Sequence, residues 1–103
     1  MDAIETGESD HVRGTFFVHG YVQGVGFRWW VRARAFELGL VGHARNTVDG
    51  RVEVVAQGPA EAVDRLQTLL TESPSTTRRP GQVTQVVSQR NGPKDGITSF
   101  VER

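Results

Sequence analysis

Val22-Gln23-Gly24-Val25-Gly26-Phe27-Arg28 is the stretch on which the organisation of this chain turns. Before it, Thr15-Phe16-Phe17-Val18 lies between Gly14 and Gly20 as a short β-rich run suited to a buried strand. After it, Phe27, Val31, Ala35 and Leu38 recur at helical spacing, with Arg32, Arg34 and Glu37 between them. The seven residues therefore read as a strand-to-helix turn. Gly24 and Gly26 allow the backbone dihedrals that curl successive N–H groups around one point. Arg28 falls in the first turn of the helix, where a cation is disfavoured by roughly 0.3–1 kcal/mol unless an anion shares the place. A phosphate-like anion would make the arrangement sensible. Taken alone, an exposed helix arginine is the plainer reading of Arg28.

Working outward, Gly39 offers a left-handed cap to that first helix. A second strand is expected over about 41–47, ending at Asn46 and Thr47, and Asp49-Gly50 is a hairpin turn signal. Arg51 to Gln57 alternates, with Val52, Val54 and Ala56 on one face, as a third strand does. Pro59 suits the first turn of a second helix, whose apolar stripe is Ala62, Val63, Leu66, Leu69 and Leu70. Ser73 to Gly81 is a polar loop, Val83 to Ser88 a fourth strand, and Ile97 to Val101 a short last strand after the turn at Asn91-Gly92-Pro93. The order βαββαβ plus a terminal strand predicts an α+β fold, the ferredoxin-like sandwich. Its sheet of four or five strands would be mostly antiparallel, with two helices packed on one face.

The chain has 103 residues, which favours one domain. Residues 1–11 are polar, acidic and without apolar periodicity, and are expected to be a disordered tail ahead of a domain over 12–103. Four of the 12 acidic residues (Asp2, Glu5, Glu8, Asp10) lie in that tail, so the neutral chain conceals a body of about +4. Arg28, Arg32, Arg34, Arg45 and Arg51 surround the glycine turn, which favours an anionic ligand, although most of them suit a solvated face. A strongly basic nucleic-acid surface is not indicated. Cysteine is absent, which removes disulfides and thiolate chemistry and fits a reducing compartment. No apolar run approaches the ~18 residues of a membrane span, and the N-terminus does not resemble a secretory signal, so the expectation is a cytoplasmic protein with no membrane partner.

Two common phosphate fingerprints fail. G-x-x-x-x-G-K-[ST] would need a lysine after the second glycine, and G-x-G-x-x-G is broken by Trp29 at the third glycine position. His11, His19 and His43 are scattered, so no metal set is expected and each reads as a surface or packing histidine. Asn46 alone reads as a strand-end residue leading into the hairpin, and Trp29 and Trp30 as core or partly buried packing.

Two longer patterns are more specific. Val18-x-Gly20-x-Val22-Gln23-Gly24-Val25-Gly26-Phe27-Arg28 resembles the first signature of the acylphosphatases, and Gly39-Leu40-Val41-Gly42-x-x-Arg45-Asn46-x-x-Asp49-Gly50-x-Val52-Glu53 resembles their second. They stand in the family's order and spacing, Gln57-Gly58-Pro59 also matches, and the likeness extends over roughly 12–102. The resemblance implies the same ferredoxin-like fold and hydrolysis of acyl phosphates to a carboxylate and inorganic phosphate, with no metal, no cofactor and no covalent phosphoenzyme. It makes Arg28 and Asn46 the catalytic pair, Arg28 holding the phosphate and Asn46 positioning the attacking water. The main-chain N–H groups of Gln23, Gly24, Val25, Gly26, Phe27 and Arg28 become the phosphate cradle. It implies a monomer acting on a small-molecule acyl phosphate or an acyl-phosphorylated protein. Tyr21, where an arginine is common, and His43-Ala44, in place of an aromatic-plus-valine pair, depart from the pattern and bear on rate and acyl preference. Such chemistry needs positioning and charge stabilisation more than proton transfer, because a carboxylate leaves without protonation.

Two rival readings are weaker. An RNA-binding module would stack bases on aromatic residues of the central strands, but the third strand offers Val52, Val54 and Val55, so no nucleic-acid partner is expected. A non-catalytic regulatory module would bind ligand without hydrolysing it, and a domain embedded in a larger multistep enzyme is not expected of a chain running from Met1 to Arg103.

Overall fold

A computed structural model describes residues 10–103. Strand β1 (His11–Tyr21) leads through the glycine loop into helix α1 (Phe27–Glu37). Strands β2 (Val41–Asn46) and β3 (Val52–Pro59) form the hairpin, followed by helix α2 (Ala60–Thr71), then β4 (Gln82–Asn91) and β5 (Phe100–Glu102). The sheet has five strands in the order β4-β1-β3-β2-β5. All pairings are antiparallel except β5, which runs parallel to β2 with Gly42 opposite Phe100 and Ala44 opposite Glu102. This is the predicted ferredoxin-like sandwich.

Alternation decides the two faces of the sheet. Phe16 and Val18 of β1, Ala44 of β2 and Val52, Val54 and Ala56 of β3 point into one core, where Val31 and Ala35 of α1 and Val63, Leu66 and Leu70 of α2 meet them. The opposite face carries Arg13, Thr15 and Phe17 of β1, opposed in register by Gln57, Val55 and Glu53 of β3. Gly42 is needed at its position in β2 because a Cβ there would stand 1.9 Å from the Val55 carbonyl oxygen.

Several boundaries moved. The strand expected around 15–18 runs from His11 to Tyr21 because β1 is central and pairs on both sides. Pro59 ends β3 and caps α2 rather than entering it. The last strand begins at Phe100, with Ile97 in the preceding connection. The tail expected over 1–11 falls, for residues 1–9, outside the described residues. Asp10 sits in a turn whose carbonyl receives the Ala60 N–H at 2.7 Å, and His11 already pairs with Pro59, so the sheet begins ahead of the expected boundary at 12. Trp30 is core, its indole N–H donating to Thr77 O at 3.0 Å, but Trp29 is 63% exposed, contrary to the packing expected for it. Successive helix residues turn by about 100°, so the two tryptophans cannot share one face.

Candidate active site

The glycine loop is held at both ends by buried side chains, Val22 and Phe27. Between them Gly24 (φ 75) and Gly26 (φ 87) take left-handed conformations, and a Cβ on either would meet no atom within 4 Å. The glycines are therefore demanded by dihedral angle, and the space beside them is open. The end of the polar loop backs this turn: a Cβ on Gly81 would stand 2.0 Å from Tyr21 O and 3.0 Å from a Val25 methyl. Helix α1 begins without a side-chain cap at Gly26 and without an acid in its first turn, and its first main-chain bond runs from Trp30 N to Gly26 O at 3.1 Å. Among the described residues, the main-chain N–H groups from Gln23 to Trp29 find no hydrogen-bond acceptor. They form a fan of unpaired donors at the positive end of a helix dipole.

Two hydrogen bonds carry this loop to the end of β2. The Gln23 side-chain amide donates to Thr47 O at 2.9 Å and to Arg51 O at 2.8 Å, clamping the β2–β3 turn immediately after Asn46. From α1, Arg28 Nη1 donates to the main-chain oxygen of Arg103 at 2.5 Å, while Arg103 N donates to Ala44 O at 2.8 Å. Arg28 is thus tied, through the end of the β5 segment, to the strand that carries Asn46. Asn46 shares the helix-side face of β2 with Gly42 and Ala44, and its Oδ1 is buried with no hydrogen-bond partner among the described residues. An orphaned buried acceptor costs about 1–3 kcal/mol and calls for an occupant that donates to it.

The hairpin turn is stiffened locally. Thr47 N donates to Arg51 O at 2.9 Å, Gly50 N to Thr47 O at 3.2 Å, and the Thr47 hydroxyl donates to Asp49. Hydrogen bonds from Thr47 and then Arg51 pull the Asp49 carboxyl down to about 2. The Arg51 guanidinium also lies 4.7 Å from the centre of the Phe17 ring. One strand further, burial works to raise the Glu53 carboxyl, but hydrogen bonds from His43 and Arg45, at 3.1 and 2.6 Å, together outweigh it and hold it below the usual range. Both carboxylates are committed to structure. His43 is spoken for by Glu53, and no group of three His, Asp or Glu side chains suited to a metal exists among the described residues.

The site residues expected from the sequence are thus tied together at one end of the sheet: the glycine loop from Gln23 to Phe27, Arg28 in the first turn of α1 and Asn46 at the end of β2. Three participants were not visible in advance. These are the Gln23 side chain, which clamps the turn, Thr47, which receives it, and the Arg103 main chain, which receives Arg28. All three act over separations of 24 to 75 residues, and none carries a local signature.

Comparison with known proteins bears on this end of the molecule. A family model described as Acylphosphatase matches residues 14–101. The chain belongs to the acylphosphatase family. It is 57% identical over 97 residues to an acylphosphatase of Mycolicibacterium vanbaalenii, covering 94% of this chain and 99% of that one. It is 55% identical over 95 residues to an acylphosphatase of Corynebacterium efficiens, covering 92% and 95%. Among solved structures it is similar to an acylphosphatase from Coxiella burnetii, with a TM-score of 0.80, 29% identity and 96% and 99% coverage, and to that of Bacillus subtilis, with 0.76, 28%, 89% and 98%. With that membership the chain is a hydrolase of acyl phosphates, as the paired signatures implied. No helix among the described residues is long and apolar enough to cross a membrane.

Proposed function

We propose that this acylphosphatase binds the phosphoryl group of its substrate between the Arg28 guanidinium and the main-chain N–H groups from Gln23 to Arg28, and that Asn46 Oδ1 orients the water that attacks phosphorus. The observation that carries this reading is the buried, unpartnered Asn46 Oδ1 on the strand end to which both the glycine loop and Arg28 are tied. Arg28 spends one N–H on Arg103 O and keeps its remaining donors for an anion. The loop N–H groups supply further donors whose positions are fixed before substrate arrives, so their alignment costs nothing at the moment of reaction.

The chemistry asks for little else. The oxygen of the oriented water bonds to phosphorus as the bridging P–O bond breaks, the electron pair leaves on the carboxylate, and the displaced water proton stays with the phosphate product. Charge spreads over the phosphoryl oxygens in the transition state, where the amides and the guanidinium meet it. The substrate class is a small acyl phosphate or an acyl-phosphorylated side chain, and the expected setting is a cytoplasmic monomer. Arg28→Ala should lower benzoyl phosphate hydrolysis by roughly 10³-fold or more. Asn46→Ala should depress kcat while inorganic phosphate still binds. Near-normal turnover by a folded Arg28→Ala protein would refute the assignment, as would an Asn46→Ala protein that turns over normally but no longer binds phosphate.

A further inference from the structure

The face of the sheet that carries no helix holds a cavity of about 420 Å³. Its floor is Thr15 and Phe17 of β1 and Val55 of β3. The connection from β4 to β5 builds its wall, because those strands are opposite edges of the sheet and residues 92–99 must cross four strand spacings, roughly 19 Å. That crossing is pinned to β3 by a reciprocal pair: Lys94 N–H donates to Gln57 Oε1 and Gln57 Nε2 donates to Lys94 O, each at 2.8 Å.

Register places the cations at the two ends of this floor. Arg13 stands opposite Gln57, so Arg13 and Lys94 gather at the Gln57 end. Arg103 follows β5 beside Ala44, whose neighbour Arg45 opposes Glu53, which puts Arg103 at the Glu53 end. The two ends are four residues of β3 apart, roughly 13 Å along the strand, with Val55 and Thr15 between. The acid that lines the cavity, Glu53, is already shared by His43 and Arg45. Arg13 Nε is buried with no hydrogen-bond partner, and neither Lys94 nor Arg103 has an acidic partner among the described residues.

We propose that this groove is a binding site for a small organic dianion, its two anionic ends held by Arg13 with Lys94 and by Arg103, and its apolar middle lying on Val55 and the Thr15 methyl group. The volume is that of a small-molecule site, and guanidinium forks pair carboxylate ends directly. The groove lies on the opposite face from Asn46 and α1, so it is distinct from the phosphoryl site.

The probe is suberate, a linear eight-carbon dicarboxylate, titrated calorimetrically into the whole chain, with octanoate as its one-ended counterpart. Saturable one-to-one binding is expected in the wild type and equally in Arg28→Ala, weakened roughly tenfold in Arg13→Gln and in Lys94→Gln, and weakened comparably for octanoate. Lys94 holds the wall through its main chain, so Lys94→Gln keeps the loop pinned and carries the test should Arg13→Gln fail to fold. Both groove variants should keep wild-type acyl phosphate turnover. Absence of saturable suberate binding below about 10 mM, or binding abolished by Arg28→Ala and untouched by Lys94→Gln, would overturn the proposal. Binding is the readout, so the result is independent of the role assigned to Arg28.

Discussion

Replacing Gln23 by alanine removes both hydrogen bonds that fasten the glycine loop to the turn after Asn46. Two such bonds are together worth about 1–3 kcal/mol of net stability. The lower end applies here, because neither carbonyl would be stranded. Thr47 O keeps the Gly50 N–H at 3.2 Å, and Arg51 O keeps the Thr47 N–H at 2.9 Å. A loss of about 1 kcal/mol leaves a domain of ordinary stability folded. The kinetic effect should be larger, since the clamp sets where Asn46 stands relative to the cradle, and a displacement near 1 Å in such a site costs up to about 10²-fold in rate. Gln23→Ala should therefore lower kcat for benzoyl phosphate by roughly ten- to a hundredfold while shifting the urea midpoint only slightly. Gln23→Glu should be worse in KM, because it brings acceptors against two carbonyls and a negative charge beside an anion site. Spectrophotometric turnover and urea unfolding on the same preparations decide it. A kcat within twofold of wild type in Gln23→Ala, alongside the expected loss of stability, would refute a positioning role and leave Gln23 as a structural tie.

Gly26→Ala isolates a second feature: the residue holds φ 87 with open space beside it, so the methyl group costs only the left-handed penalty, about 1–2 kcal/mol in urea unfolding. A rise in KM beyond that expected from stability would place the methyl where the anion sits, and an unchanged KM would move the anion elsewhere. No titrating side chain is assigned to the reaction, so kcat should vary little between about pH 5.5 and 8, and a bell centred near a histidine pKa would expose an overlooked acid or base. Acid stability should behave differently. Asp49, lowered to about 2, and Glu53 and Glu72, lowered by their own hydrogen bonds, all bind protons less readily in the folded chain. Their contribution is present above the ordinary carboxylate range and is lost as pH falls from about 4 towards 2. Urea midpoints measured across that window should fall in the wild type and fall less steeply in Asp49→Asn; equal slopes would show that Asp49 is not responsible.

The elements were legible wherever one period governed a segment. The helical stripe from Phe27 to Leu38, the alternation of Val52, Val54 and Ala56, and the Asp49-Gly50 turn each specify local geometry through neighbouring residues, and the structure follows them. Boundaries were less legible where tertiary pairing extends an element. Nothing in His11-Val12-Arg13 marks a strand, but Pro59, Gly58 and Gln57 on β3 offer it partners. The catalytic candidates were legible through their motifs, whereas the contacts that support them were not. A glutamine that clamps a hairpin 24 residues away looks, in sequence, like any loop glutamine.

That difference has a physical origin in how the site is assembled. A cation in the first turn of a helix opposes the helix dipole, and no acid in that turn relieves it. Among the described residues Arg28 is steadied instead by a main-chain oxygen beyond β5, the last strand of the chain and an edge of the sheet. The loop on its own therefore has no means of fixing the guanidinium. The parallel pairing of β5 with β2 sets Arg103 beside Ala44, and through it Arg28 is tied to the strand that carries Asn46. Phe100 is the buried residue that seats β5. Phe100→Ala, a cavity mutation expected to cost about 3–5 kcal/mol if β5 stays docked, would instead release the edge strand at smaller cost in stability and a disproportionate rise in KM. Equal losses in stability and in KM across a series of Phe100 replacements would argue that Arg28 is positioned by its own helix after all.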